Sequence, residues 1–222
     1  MGPEAILEKV ETLLGHCDIR YRLSDILEKR LEECQEARDL LNGLRNLSSE
    51  LENHRLALLS QSYLQETFVL DALGMADGNL DRAQKALDLA KESMDSVQIA
   101  RAHLALGIQL LNQGDALDAE SHWVRILLEA KDLPNDKKMQ MVVGRTLIVR
   151  GHVLNARGQF AEAIEILDDA IRTLELADDQ IGTAEAYELM SKVYHNLNDH
   201  ESTDCCLKRA NELKETIRSN LA

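Results

Sequence analysis

Residues 147–174 read LIVRGHVLNARGQFAEAIEILDDAIRTL, two apolar-periodic segments separated by Arg157-Gly158-Gln159. Gly151 and Leu154 before the break, and Phe160, Ala163, Leu167 and Ala170 after it, recur at the three- and four-residue steps of a helix face. Gly158 occupies the break, where a residue without Cβ tolerates the left-handed backbone that ends a helix. The stretch therefore predicts helix, tight turn, helix. Ala163 lets the second helix approach the first closely, and Leu167 fills the space between neighbouring hairpins.

The same pattern recurs on both sides of this unit. Taking Asp71, Gly107, Gly151 and Ser191 as anchors, the residues seven further on are Gly78, Gly114, Gly158 and Asn198, all able to adopt a left-handed helix end. Twelve beyond the anchors stand Ala83, Ala119, Ala163 and Thr203; sixteen beyond, Leu87, Trp123, Leu167 and Leu207; nineteen beyond, Ala90, Ile126, Ala170 and Ala210. A helical hairpin repeated four times leaves an apolar face on each copy, and stacking covers it. The turn residues Asn79, Asp115, Gln159 and Asp199 are expected to help cap the second helices, Gln159 weakly. The anchors lie 36, 44 and 40 residues apart, and the polar, Pro-containing segment 131–138 (KDLPNDKK) is the clearest insertion, a linker between the second and third units.

This pattern resembles the tetratricopeptide repeat (TPR) family over residues 64–220, with 147–174 as its best unit. The units are longer than the usual length of about 34 residues and lack the closing Pro, like those of bacterial signalling and transcription-regulator proteins and of the kinesin light chain group. The resemblance implies an all-α, right-handed superhelical solenoid of antiparallel helix pairs that binds peptides or other proteins. In such a fold the first helix of each hairpin lines the concave side. The lining expected here includes Phe68 with Gln65, Ala72, Met75 and Ala76 from the first unit, then Arg101, Leu104 and Ile108, then Arg145, Ile148, His152 and Asn155, and finally Glu185, Glu188, Lys192, His195 and Asn196. Arg101, Arg145, Asn155 and Lys192 are the expected polar anchors, Arg through a bidentate fork on carboxylates. Phe68, Leu104, Ile108 and Ile148 form the expected apolar floor, and His152 and His195 would make binding pH-sensitive if they faced one another. Reversing charge at Arg145 and Lys192 is expected to weaken an acidic partner with little change in thermal stability. The carboxylate clamp by which some family members hold chaperone C-termini is absent, since its places in the first unit hold Phe68 and Ala72.

Composition agrees with a helical repeat. The 222 residues are 45% hydrophobic but only 3% aromatic, with two prolines, which disfavours a β-sandwich or barrel. The apolar residues are mostly Leu and Ala, set among helix-forming Glu, Lys, Arg and Gln. The net charge is −14, and thirds at 1–60, 61–135 and 136–222 carry −4, −6 and −4, so no segment offers the clustered cations that nucleic acid or an anionic membrane needs. Cys17, Cys34, Cys205 and Cys206 contain no Cys-x-x-Cys pair and are expected to be small apolar side chains in a reducing compartment. Met1-Gly2-Pro3-Glu4 has neither a basic start nor a long apolar run, so a cytoplasmic location is expected.

Residues 1–60 are expected to form an N-terminal helical extension and 61–222 the repeat domain. Within the extension, 4–16 reads as an amphipathic helix, and Leu23, Leu27, Arg30, Cys34, Ala37, Leu41 and Leu44 alternate steps of four and three. These helices either cap the apolar end of the repeats or form a homodimer through Leu23, Leu27, Leu41 and Leu44. Ser48-Ser49 is a helix start before a long helix over 51–76. No nucleotide loop, zinc-protease, nucleophile-elbow or calcium motif is present, and the seven histidines are scattered. His16-Cys17-Asp18 is a poor metal site because adjacent residues point in different directions. The expected function is thus a protein-interaction module with no enzymatic activity, cofactor or metal, whose partner is a protein or peptide. The alternative is a sensory segment of a bacterial regulator, with 207–221 leading into an effector domain.

Overall fold

In the computed structural model, residues 2–15 and 24–220 are described. His16-Cys17-Asp18 and Leu23 lie outside them. Among the described residues there are ten α-helices and no strand: α1 (Pro3–Gly15), α2 (Ser24–Gly43), α3 (Ser49–Ala72), α4 (Asn79–Ser93), α5 (Ser96–Asn112), α6 (Ala116–Glu129), α7 (Lys137–Ala156), α8 (Phe160–Leu176), α9 (Gln180–Asn196) and α10 (His200–Asn220). The chain divides into two compact units, Met1–Arg125 and Ile126–Ala222, with the boundary inside α6.

In the first unit α1 and α2 pack on α3. Leu7, Val10 and Leu14 of α1 meet Cys34, Ala37 and Leu41 of α2, Leu44 just after it, and Leu58 and Leu59 of α3 in one buried cluster. Among the described residues of the four-three seam, Leu27, Cys34, Ala37, Leu41 and Leu44 are thus buried within the chain. A second cluster joins Leu64 of α3, Ala83, Ala86, Leu87 and Ala90 of α4, and Ala102, Ala105 and Leu106 of α5. Ser48 opens α3 as expected, its side chain accepting the Leu51 N–H.

In the second unit α7–α8 and α9–α10 are antiparallel hairpins, and α9 packs on both α7 and α8. Leu174 of α8 explains the close approach: a Cβ placed on Gly144 of α7 would lie 2.6 Å from the Leu174 Cδ2, and one on Gly182 of α9 2.9 Å from the same atom. Two helices therefore close over one leucine only because each presents a glycine to it.

The repeat positions behave as the spacing predicts. Gly78, Gly114, Gly158 and Asn198 all have positive φ, between 59° and 90°. Ala83, Ala119 and Ala163 are fully buried, as are Ala90, Ile126, Ala170 and Ala210. Leu87, Trp123 and Leu167 are buried, whereas Leu207 is 41% exposed. The segment 131–138 contains the end of a 3-10 turn (Ala130–Asp132) and the start of α7.

The caps differ from expectation. Gln159 makes no capping bond, and Asn79 lies buried with its Nδ2 donating to the Thr67 carbonyl (3.2 Å) and Asp71 Oδ1 (2.6 Å), tying α4 to α3. Asp199 caps in the expected way, accepting the Ser202 N–H at 3.1 Å. The first helices α5, α7 and α9 are opened by Asp95, Asp136 and Asp179, which accept from Gln98, Met139 and Gly182 at 3.0, 2.8 and 3.0 Å. A carboxylate there satisfies an N–H that has no intrahelical partner and sits favourably at the positive end of the helix dipole.

Candidate interaction surface

In both units, first helices of successive hairpins lie side by side, α3 with α5 and α7 with α9. Polar side chains bridge each pair. Gln109 of α5 donates to Asp71 of α3 at 2.5 Å, and Asn196 Nδ2 of α9 donates to Asn155 Oδ1 of α7 at 2.9 Å.

In the first unit Ala72, Met75 and Ala76 of the expected lining are exposed, and the rest is partly or fully covered. Gln65 donates to the Leu14 carbonyl at the end of α1 (2.8 Å), and Arg38 of α2 forks onto Glu66 at 2.9 and 3.0 Å while lying over the Tyr63 ring at 4.8 Å. The N-terminal helices thus cover this part of α3. Phe68 packs on the α3–α5 cluster, Leu104 is only 7% exposed, and Arg101 and Ile108 are half-buried.

The second unit is more open. His152, Lys192, His195 and Asn196 are exposed, with Ile148 and Asn155 half-buried beside them. Lys192 lies one turn before Asn196 on α9, and His152 one turn before Asn155 on α7, so cationic or titratable groups flank the amide pair. The His195 ring lies beside His200, 6.3 Å between centroids. Arg145 has a different occupation. Its Nε and Nη2 donate to Asp179 Oδ2 at 3.1 and 2.9 Å, while Oδ1 of the same carboxylate caps α9. With Asp179 3% exposed and Arg145 36% exposed, Arg145 neutralises a buried cap. Sequence spacing places Arg145 on the lining but gives no sign that a carboxylate 34 residues on has already taken its fork.

A buried contact escaped sequence reasoning altogether. His103 Nδ1 of α5 and His122 Nδ1 of α6 lie 2.7 Å apart, the ring centroids 4.9 Å apart and tilted by 45°. Burial lowers the His103 pKa to about 4, with the charges of His122, Lys91 and Arg125 acting in the same direction. Burial likewise lowers that of His122, with Arg125 and Lys91 reinforcing the shift and Asp118 opposing it. The residues are nineteen apart, with no motif joining them.

Among the described residues no three His, Cys, Asp or Glu side chains are grouped to hold a metal ion, and no helix is long and apolar enough to cross a membrane.

No protein-family model matches the chain, and no curated protein matches it. Solved structures do. BtubC (BKLC) from P. vanneervenii is similar over 97% of this chain and 89% of its own, at TM-score 0.57 and 16% identity. A Podosopora anserina protein described as a kinesin light chain with nearly identical TPR-like repeats is similar over 95% of this chain and 97% of its own, at TM-score 0.50 and 13% identity. A single-residue variant of that protein gives 0.51 at the same identity, over 96% and 98%. The chain therefore has a TPR-like fold of repeated helix pairs, and at these identities the likeness is one of fold.

Proposed function

We propose that this chain is a protein-interaction module that receives an extended peptide or a partner helix on the α7–α9 face of its second unit. The observation that carries this reading is the Asn155–Asn196 amide pair, with His152, Lys192 and His195 exposed around it. Within that pair the Nδ2 protons of Asn155 and a lone pair on Asn196 Oδ1 remain to meet a backbone carbonyl and N–H of an incoming chain. Lys192 supplies an exposed cation for an acidic side chain of the partner, and Ile148 an apolar contact. The TPR-like fold supports a binding role in general, because stacked hairpins present their first helices together. Free thiols at Cys205 and Cys206 fit a reducing compartment such as the cytoplasm.

Arg145 drops out of the expected charge-reversal test, since reversing it would set two carboxylates against each other at the α9 cap. The test is Lys192→Glu and Asn155→Ala in the full chain, titrated with acidic peptides selected against the wild type from a random display library. Each variant is expected to weaken binding about tenfold, the loss of roughly 1.4 kcal/mol, with a thermal midpoint close to wild type. Unchanged affinity in both sinks the proposed face.

A further inference from the structure

The His103–His122 contact is buried at one end, with His103 only 3% exposed. A 2.7 Å approach of two Nδ1 atoms requires one ring to donate and the other to accept. The donor ring can take an additional proton at its Nε2 and keep the bond. The acceptor ring cannot be protonated at Nδ1 without turning two N–H groups against each other. The charged groups facing the pair are Lys91 of α4 and Arg125 and Asp118 of α6. Two cations and one carboxylate leave the surroundings unfavourable to added positive charge.

The next contact along the same two helices is Trp123 on Gly107, one residue beyond His122 and one turn beyond His103. A Cβ on Gly107 would clash with the Trp123 Nε1 and lie 2.9 Å from its Cδ1, so the indole rests directly on the α5 backbone. Its Nε1 is buried without a hydrogen-bond partner. The indole is therefore held by packing, and nothing polar retains it if the helices part.

We propose that the His103–His122 pair is an acid-sensitive latch: it joins α5 to α6 while one Nδ1 lacks a proton, and full protonation separates the rings and releases Trp123 from Gly107. The direction follows from proton linkage. A histidine in the unfolded chain titrates near 6.5 and His103 in the fold at about 4, so between these values the folded chain binds fewer protons. Stability contributed by the pair is complete above about pH 6.5 and is lost as pH falls toward 4.

Trp123 is the single tryptophan and is buried, so its emission reports the latch in the intact chain. Acidification is expected to shift that emission to the red, and His122→Gln, which cannot become charged, to move the midpoint down by about one pH unit or more. The same midpoint in both proteins overturns the latch, because other acid-labile groups would then account for the transition. Histidine ring NMR on the wild type decides independently, even if the variant fails to fold. Rings at 103 and 122 titrating below the ordinary value, with loss of their mutual contact on the second protonation, are expected, and a mutual contact that survives the second protonation overturns the proposal.

Discussion

Glycine carries the packing at the residue scale. Gly107 and Gly151 are both repeat anchors, but what rests on them differs. A methyl on Gly151 would meet Leu167 Cδ2 and Cγ at 2.8 Å, atoms of a flexible side chain, whereas one on Gly107 would run into three atoms of the rigid indole, Nε1 the nearest. In an isolated helix Gly→Ala gains about 1 kcal/mol, but overpacking a rigid core contact costs about 1–3 kcal/mol. The clash outweighs the gain at Gly107 and nearly cancels it at Gly151. Gly107→Ala is therefore expected to lower the thermal midpoint by several degrees, and Gly151→Ala to change it little, measured by circular dichroism on the full chain. Periodicity finds both glycines as anchors and does not rank them, because the rank depends on how far the facing side chain can yield. Arg145 makes the same point for charge: its place on the lining is legible from its spacing, but its engagement by Asp179 is a tertiary fact.

At the scale of the element, α10 differs from the other second helices by having no hairpin after it among the described residues. Leu174, which closes α8 against both α7 and α9, lies twenty-three residues beyond its anchor; the same step from Ser191 reaches Lys214. Lys214 is half-exposed and pairs with Glu188 of α9, and Leu207 is left partly open. A charge where a packing leucine stands in α8 keeps this face of α10 wet. Lys214→Leu joins with Leu207 to extend an apolar surface, and concentration-dependent self-association in sedimentation experiments is the expected result. A variant that sediments like wild type at all concentrations would show that Lys214 is not what blunts this end. The N-terminal extension illustrates how far pattern reading goes for an element. Its four-three seam is plain in the sequence, yet the seam alone fits either a cap or a second chain. The burial of Leu27, Cys34, Ala37, Leu41 and Leu44 within this chain is a tertiary fact that the seam does not carry.

At the scale of the whole molecule, helices contact near neighbours in the chain, so stability is close to a sum over local interfaces and cooperativity is limited. Trp123 belongs to the first unit and Gly144 to the second. Gly144→Val, which forces a branched side chain into Leu174, is expected to lower the midpoint seen by circular dichroism more than that seen by Trp123 fluorescence. Coincident shifts would show that the two units unfold as one. The helix-pair repeat, its turns and the small-residue crossings are legible in residue order, because helical period, left-handed turn residues and close helix approach are local or short-range demands on residue type. Packing alone decides which residues of the expected lining stay exposed, that Asp95, Asp136 and Asp179 cap the first helices, and that His103 meets His122. These depend on which side chains, tens of residues apart, reach the same space once the hairpins pack, and spacing carries no record of that competition.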